Sequence, residues 1–234
     1  MIKLQQKARC LTADTQTPVS LYLNLIGRKQ GILLESSEVD GRLGKYSLLA
    51  WDFRLRLECI QGRLKVEIND PRLESLKNLE GLDFVQGVRQ VLKELEIVSP
   101  PGETFPPMTR ALCGYLGYGL VGLWEPKLRP VLPPSDAEGL LVLPGKVLLF
   151  EHLYHRCFLL SLDDDLNLPR PKSHSRDKEN VLGPVQTFPG EENFKQGVAE
   201  VKELIRQGEA IQVVLSVRFA ADFKGDTFQV YRHL

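Results

Sequence analysis

The sequence lacks the features of a disulfide scaffold, a zinc site or a polyanion-binding protein. Its four cysteines, Cys10, Cys59, Cys113 and Cys157, are scattered with no close pair. That spacing fits reduced cytosolic thiols better than disulfides or a metal cluster. The 30 basic and 30 acidic residues leave no net charge. We therefore expect neither nucleic acid nor an anionic membrane surface as a partner.

Long hydrophobic runs and internal repeats are absent as well. No stretch approaches the ~18 apolar residues of a membrane-spanning helix, and no apolar segment follows the charged start of the chain. With 43% hydrophobic and 26% charged residues, the chain can bury a sizeable core in one or two domains. These properties predict a soluble, cytoplasmic, globular protein.

The most informative stretch covers residues 188–219. Apolar residues at steps of three and four predict one face of a helix that ends near Gly208. The period then changes to two, which predicts a strand with an apolar face and a mostly polar face that includes Gln212. The apolar positions are Phe194, Val198, Val201 and Ile205 in the helix, then Ile211, Val213, Leu215, Val217 and Phe219 in the strand.

The earlier part of the chain predicts a mixed α+β fold with largely antiparallel sheets packed against helices. Capped helices are expected from Thr17 to Ile26 and from Asp83 to about Leu95. Alternating or continuous apolar runs predict strands over 32–34, 45–59, 64–68, 139–143, 146–151 and 155–162, and the strand at 32–34 is expected to be buried. A G-x-G-x-x-G spacing at residues 117–122 is rejected as a dinucleotide motif because Pro126 prevents the helix that should follow.

Composition divides the chain into three parts. Residues 1–162 form the predicted first domain, residues 163–187 a polar linker with almost no apolar periodicity, and residues 188–234 the start of a second domain. The three aspartates at 163–165 are interpreted as a solvated turn. His152 is interpreted as a structural histidine, since no nucleophile accompanies it in the sequence.

The Gln-Val-Val-Leu-Ser segment at 212–216, placed after a helix that ends at glycine, resembles the chorismate-utilising enzymes, and most closely component I of anthranilate synthase. In isochorismate and salicylate synthases the position of Gln212 is a lysine that activates water. A glutamine amide cannot deprotonate water. The resemblance therefore implies the branch that uses ammonia, with Gln212 near the substrate as a candidate catalytic residue. Aminodeoxychorismate synthases share this glutamine, so that branch stays open.

A second tract, Leu-Leu-Glu-Ser followed by a basic residue, resembles the segment that binds the inhibitor tryptophan in anthranilate synthase component I. Leu34, Glu35, Ser36 and Lys45 match it by position. A carboxylate can bind the ammonium group of an amino acid, and a hydroxyl can bind its other polar atoms. The resemblance implies part of a tryptophan feedback site at these four residues. The alternative is ordinary polarity at a strand end.

The resemblance covers essentially the whole chain but only the first half of the enzyme. The family converts chorismate and ammonia, supplied by a glutamine amidotransferase partner (component II), into anthranilate and pyruvate with Mg²⁺. The Mg²⁺ ligands belong to the half that is not in this sequence, so the chain alone is expected to be inactive. Two alternatives stay open, a fragment of aminodeoxychorismate synthase and a noncatalytic tryptophan-binding module.

Overall fold

A computed structural model describes residues 1–12, 15–27, 29–36, 44–132, 138–168 and 180–233. The chain divides into two units, Met1–His174 and Ser175–Leu234. Both contain helices and mainly antiparallel strands, which confirms the predicted α+β class. The middle of the predicted linker falls outside the described residues. None of the described helices has the length and apolar character needed to cross a membrane.

The first unit is organised around a seven-stranded antiparallel sheet. Its strand order is β2-β9-β8-β4-β3, while β5 also pairs with β4 and β7 also pairs with β8. β1 and β6 form a separate parallel pair. The strands are β1 (Ile2–Gln5), β2 (Lys7–Leu11), β3 (Gly31–Leu34), β4 (Tyr46–Ile60), β5 (Arg63–Ile68), β6 (Leu95–Val98), β7 (Cys113–Leu116), β8 (Gly139–Glu151) and β9 (Arg156–Ser161).

Strand β8 is continuous where the sequence predicts two strands, over 139–143 and 146–151, so that prediction was wrong. Pro144 lacks an N–H group and would interrupt a regular ladder. In the structure it lies opposite Phe53, where the register between β4 and β8 shifts. Gly145 follows, and a Cβ atom there would lie 2.7 Å from the Asp52 carbonyl oxygen. The bulge in β4 therefore lets β8 pass through a proline and a glycine without ending.

The first half of β4 is buried on both of its faces. Leu49 and Trp51 pack on one face with helix α1 (Pro18–Leu21) and the π-helical turn Tyr22–Ile26 that continues it. Leu48 and Ala50 pack on the other face with Phe105 and other residues. Thr17 caps α1, as the sequence predicts, through a reciprocal hydrogen-bond pair with Ser20.

A third apolar cluster covers the second half of β4 together with β5. Helix α2 (Phe84–Glu94) begins after its cap Asp83, as predicted, and buries Phe84 and Val91. Leu92 is exposed, and Leu95 begins β6 rather than ending the helix as the sequence predicts. The rejected glycine motif lies in and next to a 3-10 helix, Tyr118–Leu123, that is not part of a βαβ unit.

The three aspartates lie at a bend, and Asp164 and Asp165 are exposed, as the sequence predicts, but each of the three also forms an ion pair. Asp163 pairs with Arg54 and lies 3.0 Å from Arg72. Asp164 pairs with Lys7, and Asp165 lies 2.8 Å from Lys146. Each carboxylate therefore faces a cation from a different part of the first unit, which sequence spacing alone does not reveal.

Asp70 is the buried member of this charged region and generates a stability prediction. It is 3% exposed and accepts hydrogen bonds from the Arg72 side chain at 2.6 to 3.1 Å. Those bonds lower the pKa of Asp70. We expect Asp70→Asn to destabilise the first unit by about 2 kcal/mol at pH 7, because a buried charge-assisted contact is lost. Chemical denaturation of both proteins measures the difference.

The lowered pKa of Asp70 determines how the stability difference between wild type and Asp70→Asn changes with pH. A carboxyl whose folded pKa is lowered stabilises the fold above its unfolded pKa of about 3.9 and loses this effect as the pH falls through its folded pKa. The gap between wild type and Asp70→Asn should therefore close below about pH 4. Asp164→Asn, at an exposed ion pair, serves as the matched control and should change little. Equal losses in both variants would contradict the prediction.

The second unit has no buried residue among those that the structure describes. It contains the short pairs β10 (Val181–Leu182) with β13 (Phe223–Lys224) and β11 (Gln186–Phe188) with β12 (Arg218–Ala220). Its helices are α3 (Glu191–Arg206) and α4 (Thr227–His233). Gly208 has a φ of 80°, which confirms the predicted left-handed end of the helix.

The strand predicted over residues 210–219 is absent from residues 211–217, and only its end forms β12. Ile211 is 98% exposed and Val214 is 78% exposed. A segment of alternating apolar and polar residues forms a strand only when a neighbouring strand hydrogen-bonds to its backbone. Another part of the protein must also cover its apolar face. Nothing described in the second unit does either for these residues, so the prediction was wrong for this chain.

We expect this exposed apolar surface to make the chain associate with itself. Light scattering should show a mass that rises with protein concentration. Ile211→Asp combined with Val214→Asp should reduce this rise, because the variant removes two of the most exposed apolar side chains. Lys202→Ala on the exposed surface of α3 is the control. A monodisperse monomer at high concentration would contradict the expectation.

Candidate functional site

The tract Leu34, Glu35, Ser36 and Lys45 lies at one end of the β3–β4 pair. β3 is an edge strand of the sheet, and Leu34 pairs with Leu48 in the antiparallel register. The chain leaves β3 at Glu35 and enters β4 after Lys45, so the ends of the tract are neighbours in space. The structure thus brings together all four residues that the sequence singles out for one site.

The residues of this tract are accessible rather than buried. Leu34 is 46% exposed, and Glu35, Ser36 and Lys45 are exposed. The prediction that residues 32–34 form a buried strand was therefore wrong. An edge strand has one neighbour in the sheet, and Leu34 is the last residue of β3.

Two residues that the sequence does not assign to the tract, Ser47 and His152, contact its backbone. Ser47 is 1% exposed, and its hydroxyl oxygen lies 3.5 Å from the backbone nitrogen of Ser36 and 2.8 Å from Nε2 of His152. The His152 backbone N–H donates to the Lys45 carbonyl oxygen at 2.9 Å. The hydroxyl can accept from Ser36 and donate to His152. Ser47 and His152 therefore connect both strands of the tract to the end of β8.

The Ser47–His152 contact corrects the expectation that no nucleophile accompanies this histidine. The pair nevertheless does not form a catalytic dyad in this chain. A nucleophilic hydroxyl must reach its substrate, and Ser47 is buried within the sheet. The register Ser47 to Phe150 in the β4–β8 pair places His152 near this hydroxyl. Only this register could have revealed the Ser47–His152 contact in advance, and the register is not known until the strand pairing is known.

Gln212 belongs to the second unit, whereas the tract belongs to the first unit. Its side chain is exposed, within the segment that forms neither helix nor strand. Its amide can donate and accept hydrogen bonds but cannot remove a proton from water.

Magnesium coordination requires several oxygen ligands that converge on one point. The described part of the chain contains no group of three or more histidine, cysteine, aspartate or glutamate side chains that could hold a metal ion. The aspartates at 163–165 pair with cations instead, and hydrogen bonds from Lys7 and Lys146 lower the pKa of Asp164 and Asp165 respectively. The residues described here therefore do not fit a Mg²⁺ site.

The tract places an apolar side chain, a carboxylate, a hydroxyl and an ammonium group at the neighbouring ends of β3 and β4. These groups do not include a pair of nucleophile and base, so the arrangement is better suited to binding a ligand than to catalysis. Opposite charges beside an apolar group suit a small zwitterion with an apolar side chain. The buried Cys59 and Cys157 thiols do not offer a nucleophile, because burial raises the pKa of each to about 12.

The chain is similar to proteins named anthranilate synthase component 1 over almost its whole length. The anthranilate synthase component 1 of Acinetobacter calcoaceticus is 29% identical over 245 residues, which cover 95% of this chain and 48% of that protein. The corresponding protein of Lactococcus lactis is 27% identical over 255 residues, which cover 98% of this chain and 52% of that protein. The chain thus spans about half the length of these curated relatives.

A solved structure supplies the matching fold. The crystal structure of anthranilate synthase component I from Streptococcus pneumoniae aligns with a TM-score of 0.53 at 18% identity, covering 96% of this chain and 51% of that chain. At this identity the likeness concerns the fold alone. The family model described as chorismate binding enzyme matches residues 37–234. Since that match spans well over half of its residues, the chain belongs to the chorismate binding enzyme family.

Proposed function

We propose that the chain forms the N-terminal portion of an anthranilate synthase component I. The observation that carries the proposal is the share of the chain that its named relatives match. Relatives with this name match 95% and 98% of the chain. In the proposed reaction, chorismate and ammonia become anthranilate and pyruvate, and a glutamine amidotransferase partner, component II, supplies the ammonia. The proposal places the protein in tryptophan biosynthesis in the cytoplasm.

Within this reaction the chain would contribute Gln212 beside the substrate. Ammonia adds to the ring as the ring hydroxyl leaves, and elimination of pyruvate then gives the aromatic product. The Gln212 amide would orient a reacting polar group by hydrogen bonding, and its inability to activate water supports ammonia as the nucleophile. The family resemblance implies Mg²⁺ for the reaction. Because the described residues do not fit such a site, no step is assigned to the metal here.

Leu34, Glu35, Ser36 and Lys45 are proposed to form one side of a tryptophan feedback site. Their clustering at the end of β3 and β4 supports this role. The Glu35 carboxylate would bind the tryptophan ammonium group, and Leu34 would contact the indole ring. Ser47 and His152 would hold the tract in place through their contacts with Ser36 and Lys45.

Two other functions would use the same residues. An aminodeoxychorismate synthase fragment also fits the exposed Gln212, and a noncatalytic tryptophan-binding module fits the exposed tract. The names of the relatives favour anthranilate synthase. Product analysis separates the three functions. Anthranilate supports the proposed function, 4-amino-4-deoxychorismate supports the first alternative, and tryptophan binding without any turnover in a completed enzyme supports the second.

The 234-residue chain by itself is expected to produce no anthranilate from chorismate, with either glutamine or ammonium and with Mg²⁺. It spans about half of its relatives' length, and its described residues contain no candidate metal cluster. Anthranilate fluorescence measures the reaction, with protein purified from a host that lacks its own anthranilate synthase. Signal above that of the heat-denatured protein would contradict the expectation.

A chimera tests the role of Gln212. It joins the 234 residues to the second half of the Acinetobacter calcoaceticus relative, with that natural relative as the reference for full activity. In an active chimera, Gln212→Leu should lower kcat with ammonium by about tenfold or more, because the side chain loses its hydrogen bonds in the transition state. Gln207→Leu, at an exposed position after α3, is the matched control. Equal activity of both variants would remove Gln212 from the site.

Tryptophan affinity tests the tract. By calorimetry the 234-residue chain should bind tryptophan weakly or not at all, because the tract supplies one side of a pocket and leaves most of the ligand in water. The chimera should bind more tightly, and Glu35→Ala or Ser36→Ala should weaken that binding about fivefold or more. Glu67→Ala on β5 is the control. Tight binding by the 234-residue chain, or unchanged affinity in both tract variants, would contradict the assignment.

A further inference from the structure

Residues 115–131 of the first unit form a segment, the aromatic segment, that exposes apolar side chains. Trp124 is 60% exposed and Tyr118 is 81% exposed. Tryptophan and tyrosine are enriched at the centres of protein interfaces. A single exposed apolar residue needs no explanation, but six in one short stretch indicate a contact surface. They are Tyr115, Leu116, Tyr118, Trp124, Leu128 and Val131.

The buried part of the aromatic segment holds this surface in place. The segment consists of β7, the 3-10 helix Tyr118–Leu123 and a second 3-10 helix, Pro126–Val131. Leu120 is 4% exposed and packs in the apolar cluster that covers β5. Nε of Arg129 donates to the Gly122 carbonyl oxygen at 2.9 Å, which joins the two 3-10 helices. A surface that is already ordered loses little conformational entropy when it binds.

Two charged side chains at the centre of the aromatic segment have no partner within the described part of the chain. Glu125 and Lys127 are exposed, and the side chain of neither forms an ion pair or a hydrogen bond with another described residue. Their charges are opposite, and they lie on either side of Pro126. The apolar Trp124 precedes them and the apolar Leu128 follows them. Both charges would gain a partner on a surface that presents the same residues in reverse order.

We propose that the aromatic segment binds the same segment of a second copy of this chain around a two-fold axis near Pro126. A two-fold interface brings residue i of one copy to residue j of the other copy, and j to i. Glu125 then meets Lys127 of the second copy at two symmetric places. Trp124 likewise meets Leu128 of the second copy. The chain has no net charge, so the two copies do not repel each other at long range.

This contact is separate from the sites and surfaces described above. It shares no residue with the Leu34 tract or with Gln212, so it is independent of the proposed synthase function. It also differs from association through the second unit. The test therefore uses the full 234-residue chain with Ile211→Asp and Val214→Asp, which reduce that association. Sedimentation velocity over a range of concentrations gives the dissociation constant of the dimer of this parent chain.

Reversal of the charges tests the two-fold arrangement. In the parent chain, Glu125→Lys should raise the dissociation constant about tenfold or more, because symmetry turns both ion pairs into Lys–Lys contacts. Lys127→Glu should have the same effect through Glu–Glu contacts. An equimolar mixture of the two variants should dimerise as tightly as the parent chain, because each contact again joins opposite charges. The variant that carries both changes should also dimerise by itself.

Glu74→Lys is the matched control, because it changes the net charge by the same amount at an exposed position in another 3-10 helix. It should leave the dissociation constant unchanged. Trp124→Glu should raise the dissociation constant more than either charge reversal, because it removes the largest apolar contact. Circular dichroism confirms the fold of each variant.

Three results would each overturn the proposal. The parent chain could stay monomeric up to its solubility limit, or folded single charge-reversal variants could dimerise as tightly as the parent chain. The mixture of the two charge-reversal variants could also dimerise no better than either variant alone. That last result would assign the aromatic segment to a partner other than a second copy of this chain.

Discussion

The pairing of β4 with β8 is the contact on which the first unit depends. These two strands run side by side along almost their whole lengths, and β3, β5, β7 and β9 each pair with one of them. Their register places Ser47 near His152, and it places the irregularity at Phe53 opposite Pro144. A slip of one residue would exchange the two faces of the sheet and expose the side chains now packed beneath α1 and around Phe105. The tract that we assign to tryptophan depends on the same register.

Charge pairing then joins the peripheral segments to this sheet. The aspartates at 163–165 follow β9 and pair with Arg54 at the bulge, Lys7 on β2 and Lys146 on β8. Exposed pairs of this kind contribute little to stability individually. Their effect here is positional, since they hold the chain after β9 against three strands. Asp70 differs because it is buried, and its pairing with Arg72 should contribute more.

The two units differ in how far they bury their apolar side chains, and this difference affects the function that each unit can support. The first unit buries three apolar clusters and carries the proposed tryptophan tract at one edge of its sheet. The second unit exposes the apolar residues around Gln212. Residues 211–217 have the alternation of a strand but no described neighbour that would complete a sheet. The proposed catalytic role of Gln212 therefore requires a completed sheet, whereas the proposed tryptophan tract at Leu34 lies on a sheet that the first unit already forms.

The sequence by itself determined the local elements, because capping and periodicity are properties of neighbouring residues. Thr17 and Asp83 start helices, and Gly208 ends one. It also indicated the family and the residues of the tract. Tertiary structure alone decided which strands are edges, why β8 continues through Pro144, and which cations pair with the aspartates at 163–165. The buried hydrogen bond from Gln6 to Thr109 likewise joins segments 103 residues apart. Contacts of that range depend on the register between strands, which no local pattern specifies.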